Sequence, residues 1–352
     1  MDSKNNEESF YRMTNFYNIA SAEKENIFNA ISNQTGMPIF AVEKDWWVTQ
    51  ALGIIFEMEA GKHLVFKGGT SLSKAWKLID RFSEDIDLAI DRNFLGFTGE
   101  LSKRERTRLR KAAGEYTTGV FLDELKVRFK EKGYDNINLI TIPAEDSDQD
   151  PRIIEVHYPN VTKHPDYVRP RVQIEIGCRS LIEPYSIKEF GSLVDETYKG
   201  HEFAAPFIHI PTVHAERTFL EKLFLLHEEF SRPVEKIRVD RLSRHMYDIY
   251  HLSRKADIIR AIEDKDLYET IVSHRHKYAK IGSVDYNQHN PKTLNPLPHP
   301  DFVKAWADDY KTMQNEMIFE QKPPSFEDLI ANIKQLKDKL SSTSWEFSLV
   351  FE

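Results

Sequence analysis

The sequence predicts an α+β fold, with a mixed-sheet core, a helical lead-in before it and a mainly helical domain after it. Three observations carry this expectation. An apolar run, Leu64-Val65-Phe66, passes through Gly68-Gly69 into a helical stretch and then into a strand-like segment, Asp85–Ile90. Segments 136–142, 153–157 and 171–176 alternate apolar and polar residues with the period-two repeat of half-buried strands. From about Pro211 onward the pattern turns to long helical runs that continue to Leu340. Strands interleaved with helices and followed by helices alone form the outline of an α+β chain.

Taken in order, residues 22–35 read as a helix, with Ile27, Phe28 and Ile31 at helical spacing and Gly36 as its stop. A second helix is expected over 41–59, carrying Trp46, Trp47, Leu52, Ile55 and Phe56, with Gly61 beyond it. At least one of the adjacent tryptophans must pack in the core. The third helix is expected over 70–79, between the glycine turn and Asp85. Residues 101–132 are helical and heavily charged, and 144–151 form an acidic loop. The later helices are expected over 215–229, 240–255, 256–277, 300–314 and 325–340. Residues 285–300, rich in Asn, His and Pro, read as an irregular surface loop. These elements divide the chain into a lead-in over 1–60, a core over 61–205 and a helical domain over 206–352, with the boundary between 200 and 212.

Composition narrows the function classes. The chain has 352 residues, 40% hydrophobic and 30% charged, which suits a globular protein with a substantial core. A formal charge of −8 argues against a surface coated in basic charge, although a local basic patch can still bind nucleic acid. The single cysteine, Cys178, allows no internal disulfide and no multi-cysteine metal site. The polar start, Met1–Glu8, has no apolar signal core, and no uncharged apolar run approaches membrane-spanning length. A cytoplasmic location is the expectation.

The chemistry concentrates in Val65-Phe66-Lys67-Gly68-Gly69-Thr70-Ser71-Leu72-Ser73-Lys74 and in Arg81-Phe82-Ser83-Glu84-Asp85-Ile86-Asp87-Leu88. Two glycines between a strand and a helix let backbone approach a phosphate closely, and Thr70 or Ser71 would cap the helix and contact phosphate oxygens. Residues two apart on a strand share a face, so Asp85 and Asp87 form a paired carboxylate while Ile86 and Leu88 face the core. Such a pair repels itself unless a cation sits between the charges, and hard oxygen ligands beside a phosphate cradle suit Mg²⁺ or Mn²⁺. Either motif alone is commonplace, as a tight turn or a solvated strand edge. In this order and at this separation they form the signature of DNA polymerase beta-like nucleotidyltransferases, in which two metals clamp an in-line phosphoryl transfer.

Other signals are set aside. Gly69-Thr70-Ser71-Leu72-Ser73-Lys74 lacks the second glycine that a Walker A loop places before its lysine. Asp146-x-Asp148-x-Asp150 begins like a calcium loop, but Pro151 stands where that loop needs Gly and His157 where it needs Glu. No His-Glu-x-x-His helix is present, which argues against zinc. Lys103, Arg104, Arg106, Arg108, Arg110 and Lys111 form a basic cluster that is either a solvated helix face or a contact for an RNA backbone.

Segments Phe66–Lys74 and Arg81–Leu88 closely resemble the AbiEii/AbiGii-type nucleotidyltransferase toxins of bacterial abortive-infection and toxin–antitoxin systems. Glu43-Lys44-Asp45-Trp46-Trp47-Val48 is similar to the element these proteins carry before the cradle, and Val172–Arg179 to their third-carboxylate strand. Glu221-Lys222-Leu223 and Arg244–Tyr250 resemble their two helical motifs, and Trp306-x-x-Asp309-Tyr310-x-x-Met313 their C-terminal helix. The resemblance spans roughly residues 40–315. It implies that Gly68 and Gly69, with Thr70, Ser71 and Lys74, hold a nucleoside triphosphate. It implies that Asp85, Asp87 and Glu175 bind metal, with Glu175 also helping to deprotonate the attacking hydroxyl in place of the commoner aspartate. Lys222 would neutralise phosphate charge, and Asp248 would orient Lys222 or the nucleotide. Read as residues alone, Glu175 is equally a strand surface charge, Lys222 an ordinary helix lysine and Asp248 a partner of Arg244. Lys67, Lys74 and Arg81 are further cations that either meet phosphate or serve as surface charge. The resemblance further implies transfer of a nucleoside monophosphate to RNA, with the tRNA 3′ end as leading acceptor, growth arrest as the result and a separately encoded antitoxin as partner. Alternatives are nucleotide transfer to a protein hydroxyl, transfer of a terminal phosphate, or a nucleotide- or partner-binding module without catalysis.

Overall fold

The computed structural model describes residues 15–83, 85–164 and 169–352; Met1–Glu8 and Glu84 of the acidic motif lie outside the described residues. Seven strands make one mixed sheet: β1 (Leu64–Lys67), β2 (Asp85–Ile90), β3 (Asn138–Thr141), β4 (Arg152–His157), β5 (Arg171–Gly177), β6 (Tyr185–Phe190) and β7 (Ile208–Val213). Their order is β3-β4-β5-β2-β1-β7-β6. The pairs β2/β5 and β1/β7 are parallel and the others antiparallel. Together with the helices below, this is the α+β architecture that the sequence predicts.

The lead-in is part of the same core as the sheet. Helices α1 (Ser21–Thr35) and α2 (Ile39–Glu57) bury Phe28, Ile31, Trp46, Leu52 and Ile55 in one cluster with Phe66, Ile86, Leu88, Ile174 and Ile176. Helix α2 is apolar on nearly every side, which is the pattern of an interior helix. Both tryptophans are core. The charged residues at its start act as anchors: the Glu43 carboxylate accepts the backbone N–H groups of Val161 (2.7 Å) and Thr162 (3.0 Å). Asp45 accepts the backbone N–H of Leu193 (2.7 Å) and pairs with Lys74.

Helix α3 (Gly68–Thr70) continues as a π-helical turn, Ser71–Ala75, and stops short of the expected 79. The N–H of Trp76 reaches back five residues to Ser71, its indole donates to the carbonyl of Val213 (2.9 Å), and Lys77 takes a left-handed φ of 53°. The wide turn swings the side chains beyond it away from the helical positions that the sequence suggests. Helices α4 (Lys103–Tyr116) and α5 (Leu122–Glu131), joined through Thr117–Phe121, form the expected charged arm, capped at its start by Ser102 and Glu105.

Two strands and a short helix, α6 (Leu193–Thr197), were not legible in the sequence. Strand β7 runs to Val213, so the sheet extends past the expected core limit of residue 205. Pro211 in its middle removes a ladder donor and reads as a breaker, and the partner β6 is a solvent-facing edge strand.

The remaining helices form a second apolar cluster: α7 (Ala215–Phe230), α8 (Ser243–Ser253), α9 (Ala256–Ile259), α10 (Lys265–Tyr278), α11 (Val303–Glu316) and α12 (Phe326–Ser341). Residues 256–277, expected as one helix, break at Asp264, which caps α10 by accepting the N–H of Leu267. The irregular segment 285–300 is not wholly superficial, since Tyr286, His289 and Leu294 are buried. On α7, Phe219, Leu220, Leu223, Phe224 and Leu226 are all fully buried. Each contributes about 1.5–3 kcal/mol, so packing fixes the rotation of this helix and with it the direction of Lys222.

Candidate active site

Three strands set a row of charges. In the β1/β2 ladder Lys67 lies opposite Asp87, and in the β2/β5 ladder Asp87 lies opposite Glu175. Ile86 and Leu88 point into the core with Val172, Ile174 and Ile176, which leaves Asp85, Asp87 and Glu175 on the other side. Burial and the neighbouring Asp87 push the Glu175 carboxyl above its ordinary value, against a 2.8 Å hydrogen bond donated by the Gln173 amide.

The glycines are required by close approach. Gly68 has φ +78°, and a Cβ there would lie 1.9 Å from Oδ2 of Asp87. A Cβ on Gly69 would lie 2.5 Å from Nη2 of Arg81 and 2.8 Å from Oγ of Ser83. The hydroxyls beside them are spent on the turn. That of Thr70 donates to the carbonyl of Asp85 and lies 2.9 Å from Ser83 Oγ, and that of Ser71 donates to the carbonyl of Gly68 (2.9 Å). Both residues are fully buried. They shape the cradle, and this geometry gives no support to the expectation that their hydroxyls meet phosphate.

Facing the carboxylates, α7 and α8 present a buried charge cluster. Asp248 accepts Nε and Nη2 of Arg81 at 2.7 and 2.8 Å and the amine of Lys222 at 2.9 Å. Burial opposes ionisation of Asp248, but Arg81 and Lys222 override it and hold its carboxyl well below the usual range. Burial lowers the Lys222 amine; Asp248 works against that shift, while Arg81 and Arg244 add to it. His245, whose Nδ1 lies 3.3 Å from Lys222, is pushed far down by burial and by the adjacent cations, so it is neutral and accepts from the amine. Asp248 is thus ion-paired with Lys222, and its second partner is Arg81 and not Arg244.

Arg81, Lys222 and His245 line, with the carboxylate row and the glycines, one cavity of about 350 Å³ between the sheet and helices α7, α8 and α10. It contains Gly68, Gly69, Asp85, Asp87, Glu175 and Lys222. Lys67 and Arg244 also face it, and neither has an ion-pair partner among the described residues. Arg244 was missed as a site residue. One turn before Asp248, it reads from sequence as that residue's partner, and only the fold turns Asp248 away from it. Lys74, expected with the triphosphate, is a correction. The π-helical turn carries it to the wall of a neighbouring cavity, where it pairs with Asp45. In the basic arm, Arg110 is taken by Asp148 and Arg106 caps the carbonyl of Leu101, while Lys103, Arg104, Arg108 and Lys111 are exposed.

The donor set fits a hard divalent cation held jointly with a substrate. Among the described residues no three His, Cys, Asp or Glu side chains converge tightly enough to hold a metal by themselves. Mg²⁺ is commonly bound by one or two carboxylates together with substrate phosphates and water. Asp85 and Asp87, beside a Glu175 whose carboxyl Asp87 raises, would supply such a partial shell.

The family model for the nucleotidyl transferase AbiEii toxin of type IV toxin–antitoxin systems matches residues 51–332. The chain belongs to that family. It is therefore a nucleotidyltransferase toxin acting on a nucleoside triphosphate, and the family implies an antitoxin partner. The matched span holds Gly68, Gly69, Asp85, Asp87, Glu175, Lys222, Arg244 and Asp248 but not Glu43–Val48, and the family resemblance read from Phe66–Lys74 and Arg81–Leu88 is borne out. Among solved structures the chain is similar to MenT4, a nucleotidyltransferase toxin of Mycobacterium tuberculosis H37Rv. That match has 15% identity, covers 92% of this chain and 99% of the other, and has a TM-score of 0.43. It is also similar to JHP933 of Helicobacter pylori, with 12% identity, 83% and 88% coverage and a TM-score of 0.38. No protein of curated function matches it in sequence. Among the described residues no helix of this AbiEii-family chain is long and apolar enough to cross a membrane.

The raised Glu175 gives an expected result. A carboxyl raised on folding costs stability as pH rises from its unfolded value, about 4.3, and the cost is full above the folded value. Glu175→Gln removes that cost, so its metal-free Tm should exceed that of wild type at neutral pH and match it below about pH 4. Equal Tm values at neutral pH would refute this.

Proposed function

We propose that the cavity transfers a nucleoside monophosphate from a nucleoside triphosphate to RNA, with the tRNA 3′ end as leading acceptor. The observation that carries this reading is the convergence, in one cavity, of the Asp85–Asp87–Glu175 row and the Lys222 amine held by Asp248. Asp85 and Asp87 would hold Mg²⁺ or Mn²⁺, which supplies positive charge against the triphosphate. The backbone of Gly68 and Gly69 approaches the phosphates, and Lys67 and Arg244 meet their oxygens. Lys222 is kept in place by Asp248 and by the neutral His245, so its charge is preorganised for the developing pyrophosphate. The acceptor hydroxyl oxygen bonds to the α-phosphorus as the bond to pyrophosphate breaks, and the Glu175 carboxylate takes the hydroxyl proton. The exposed lysines and arginines of α4 suit an RNA backbone. The partner in this reading is a separately encoded antitoxin, and growth arrest follows from blocked RNA ends.

The test is incubation of the purified protein with total RNA, Mg²⁺ and each α-³²P-labelled nucleoside triphosphate in turn. Label on small RNA that maps to the 3′ end is the expected result. Label on protein alone, or none on RNA with every nucleotide, would overturn the RNA acceptor.

A further inference from the structure

A second cavity of about 430 Å³ lies against the catalytic one, and Arg81 and Ser83 line both. Their linings differ in kind. The catalytic cavity is walled by carboxylates, lysine, arginines and histidines, which suit phosphates and a cation but not the faces of an aromatic ring. The neighbouring cavity has apolar walls from Met37, Val48, Ile79, Phe82, Leu193 and Phe319. Asp80 and the more exposed Lys77–Glu196 ion pair also line it, and set among the apolar walls is a fixed polar pair. Asp45 is held by the N–H of Leu193 at 2.7 Å and by the Lys74 amine, and both side chains of the pair are 10% exposed. Glu320 and Gln321 stand among its lining residues. Apolar walls with a few convergent polar groups, in a volume between roughly 300 and 1,000 Å³, are the usual features of a small-molecule pocket.

We infer that this second cavity receives the base and ribose of the nucleoside triphosphate whose phosphates lie in the catalytic cavity. A nucleotide has one apolar, hydrogen-bonding end and one highly charged end, and of the two adjoining cavities only the second has an apolar wall with aromatic rings, Phe82 and Phe319, beside its polar groups. The segment shared between them, Arg81 to Ser83, is the segment against which Gly69 packs, so the phosphate cradle and the apolar cavity meet there. In this arrangement Asp45 and Lys74 face the edge of the base and determine which nucleotide is preferred. Lys74 then serves the nucleotide, but at its base and not at its phosphates. The inference rests on the triphosphate being held in the catalytic cavity and does not depend on the acceptor.

Two substitutions reduce the cavity from different sides: Ser73→Leu from the π-helical turn and Gln321→Trp from an exposed position in its lining. Calorimetric titration of the full chain in Mg²⁺ would compare inorganic tripolyphosphate with the α,β-methylene analogues of the four nucleoside triphosphates. Wild type is expected to bind at least one analogue more tightly than tripolyphosphate. Each variant should lose at least about tenfold in that analogue's affinity while binding tripolyphosphate as wild type does. Unchanged analogue binding in both variants, or a parallel loss of both ligands, would overturn the inference. A wild type that binds all analogues no better than tripolyphosphate would overturn it as well, while leaving the phosphate site standing. A wild type that binds neither would instead remove the nucleotide site itself.

Discussion

Asp248→Ala is expected to cost about 3–5 kcal/mol of stability, the usual penalty for stripping the partner from a buried charge. Arg81 and Asp248 have side chains 2% and 0% exposed, and Lys222 closes the same carboxylate at 2.9 Å. Removing the carboxylate leaves two cations close together with no counter-charge and little water. The loss would be read as a lower denaturant midpoint. Part of it should return in the Arg81→Met/Asp248→Ala double variant, in which one of the stranded cations is gone. A loss under about 1 kcal/mol would show that water reaches the cluster and that this pair behaves as a surface ion pair.

Asp87→Asn is expected to lower nucleotide transfer by about a thousandfold or more, since several kcal/mol of transition-state charge stabilisation depend on a carboxylate at that position. The change is nearly isosteric, and it removes the negative charge that burdens Glu175, so Tm should hold or rise. Gly68→Ala is expected to mimic this loss without touching a charge. Its Cβ would fall 1.9 Å from Asp87 Oδ2 at a φ of +78°, and the carboxylate must move. If Gly68→Ala kept activity within tenfold of wild type, the account of the cradle would be wrong.

The parts of this site that the sequence made legible are those built by local periodicity. Asp85 and Asp87 share a face because a strand repeats every two residues, and the same rule separates Glu175 from Val172, Ile174 and Ile176. What it hid was long-range pairing. Arg81 and Asp248 are 167 positions apart, so a buried bidentate ion pair looked like one cation near a cradle and one carboxylate on a helix. Lys222 and Asp248 entered only through family resemblance, because no local pattern distinguishes a buried lysine from a solvated one. Lys74 was assigned to the triphosphate by resemblance and nearness in sequence to the glycines, but it lies within the π-helical turn Ser71–Ala75, on the wall of the neighbouring cavity beside Asp45. Strand β7 was hidden by Pro211, which reads as the end of structure but here lies in the parallel neighbour of β1.

The most direct test of the central claim uses two labels on the same nucleotide. The purified chain is incubated with RNA, Mg²⁺ and the preferred nucleoside triphosphate carrying ³²P at either the α or the γ position. The account predicts α label on RNA, γ label released as pyrophosphate, and neither event in Asp87→Asn. Transfer of the γ label to any acceptor, or undiminished α labelling by Asp87→Asn, would contradict it.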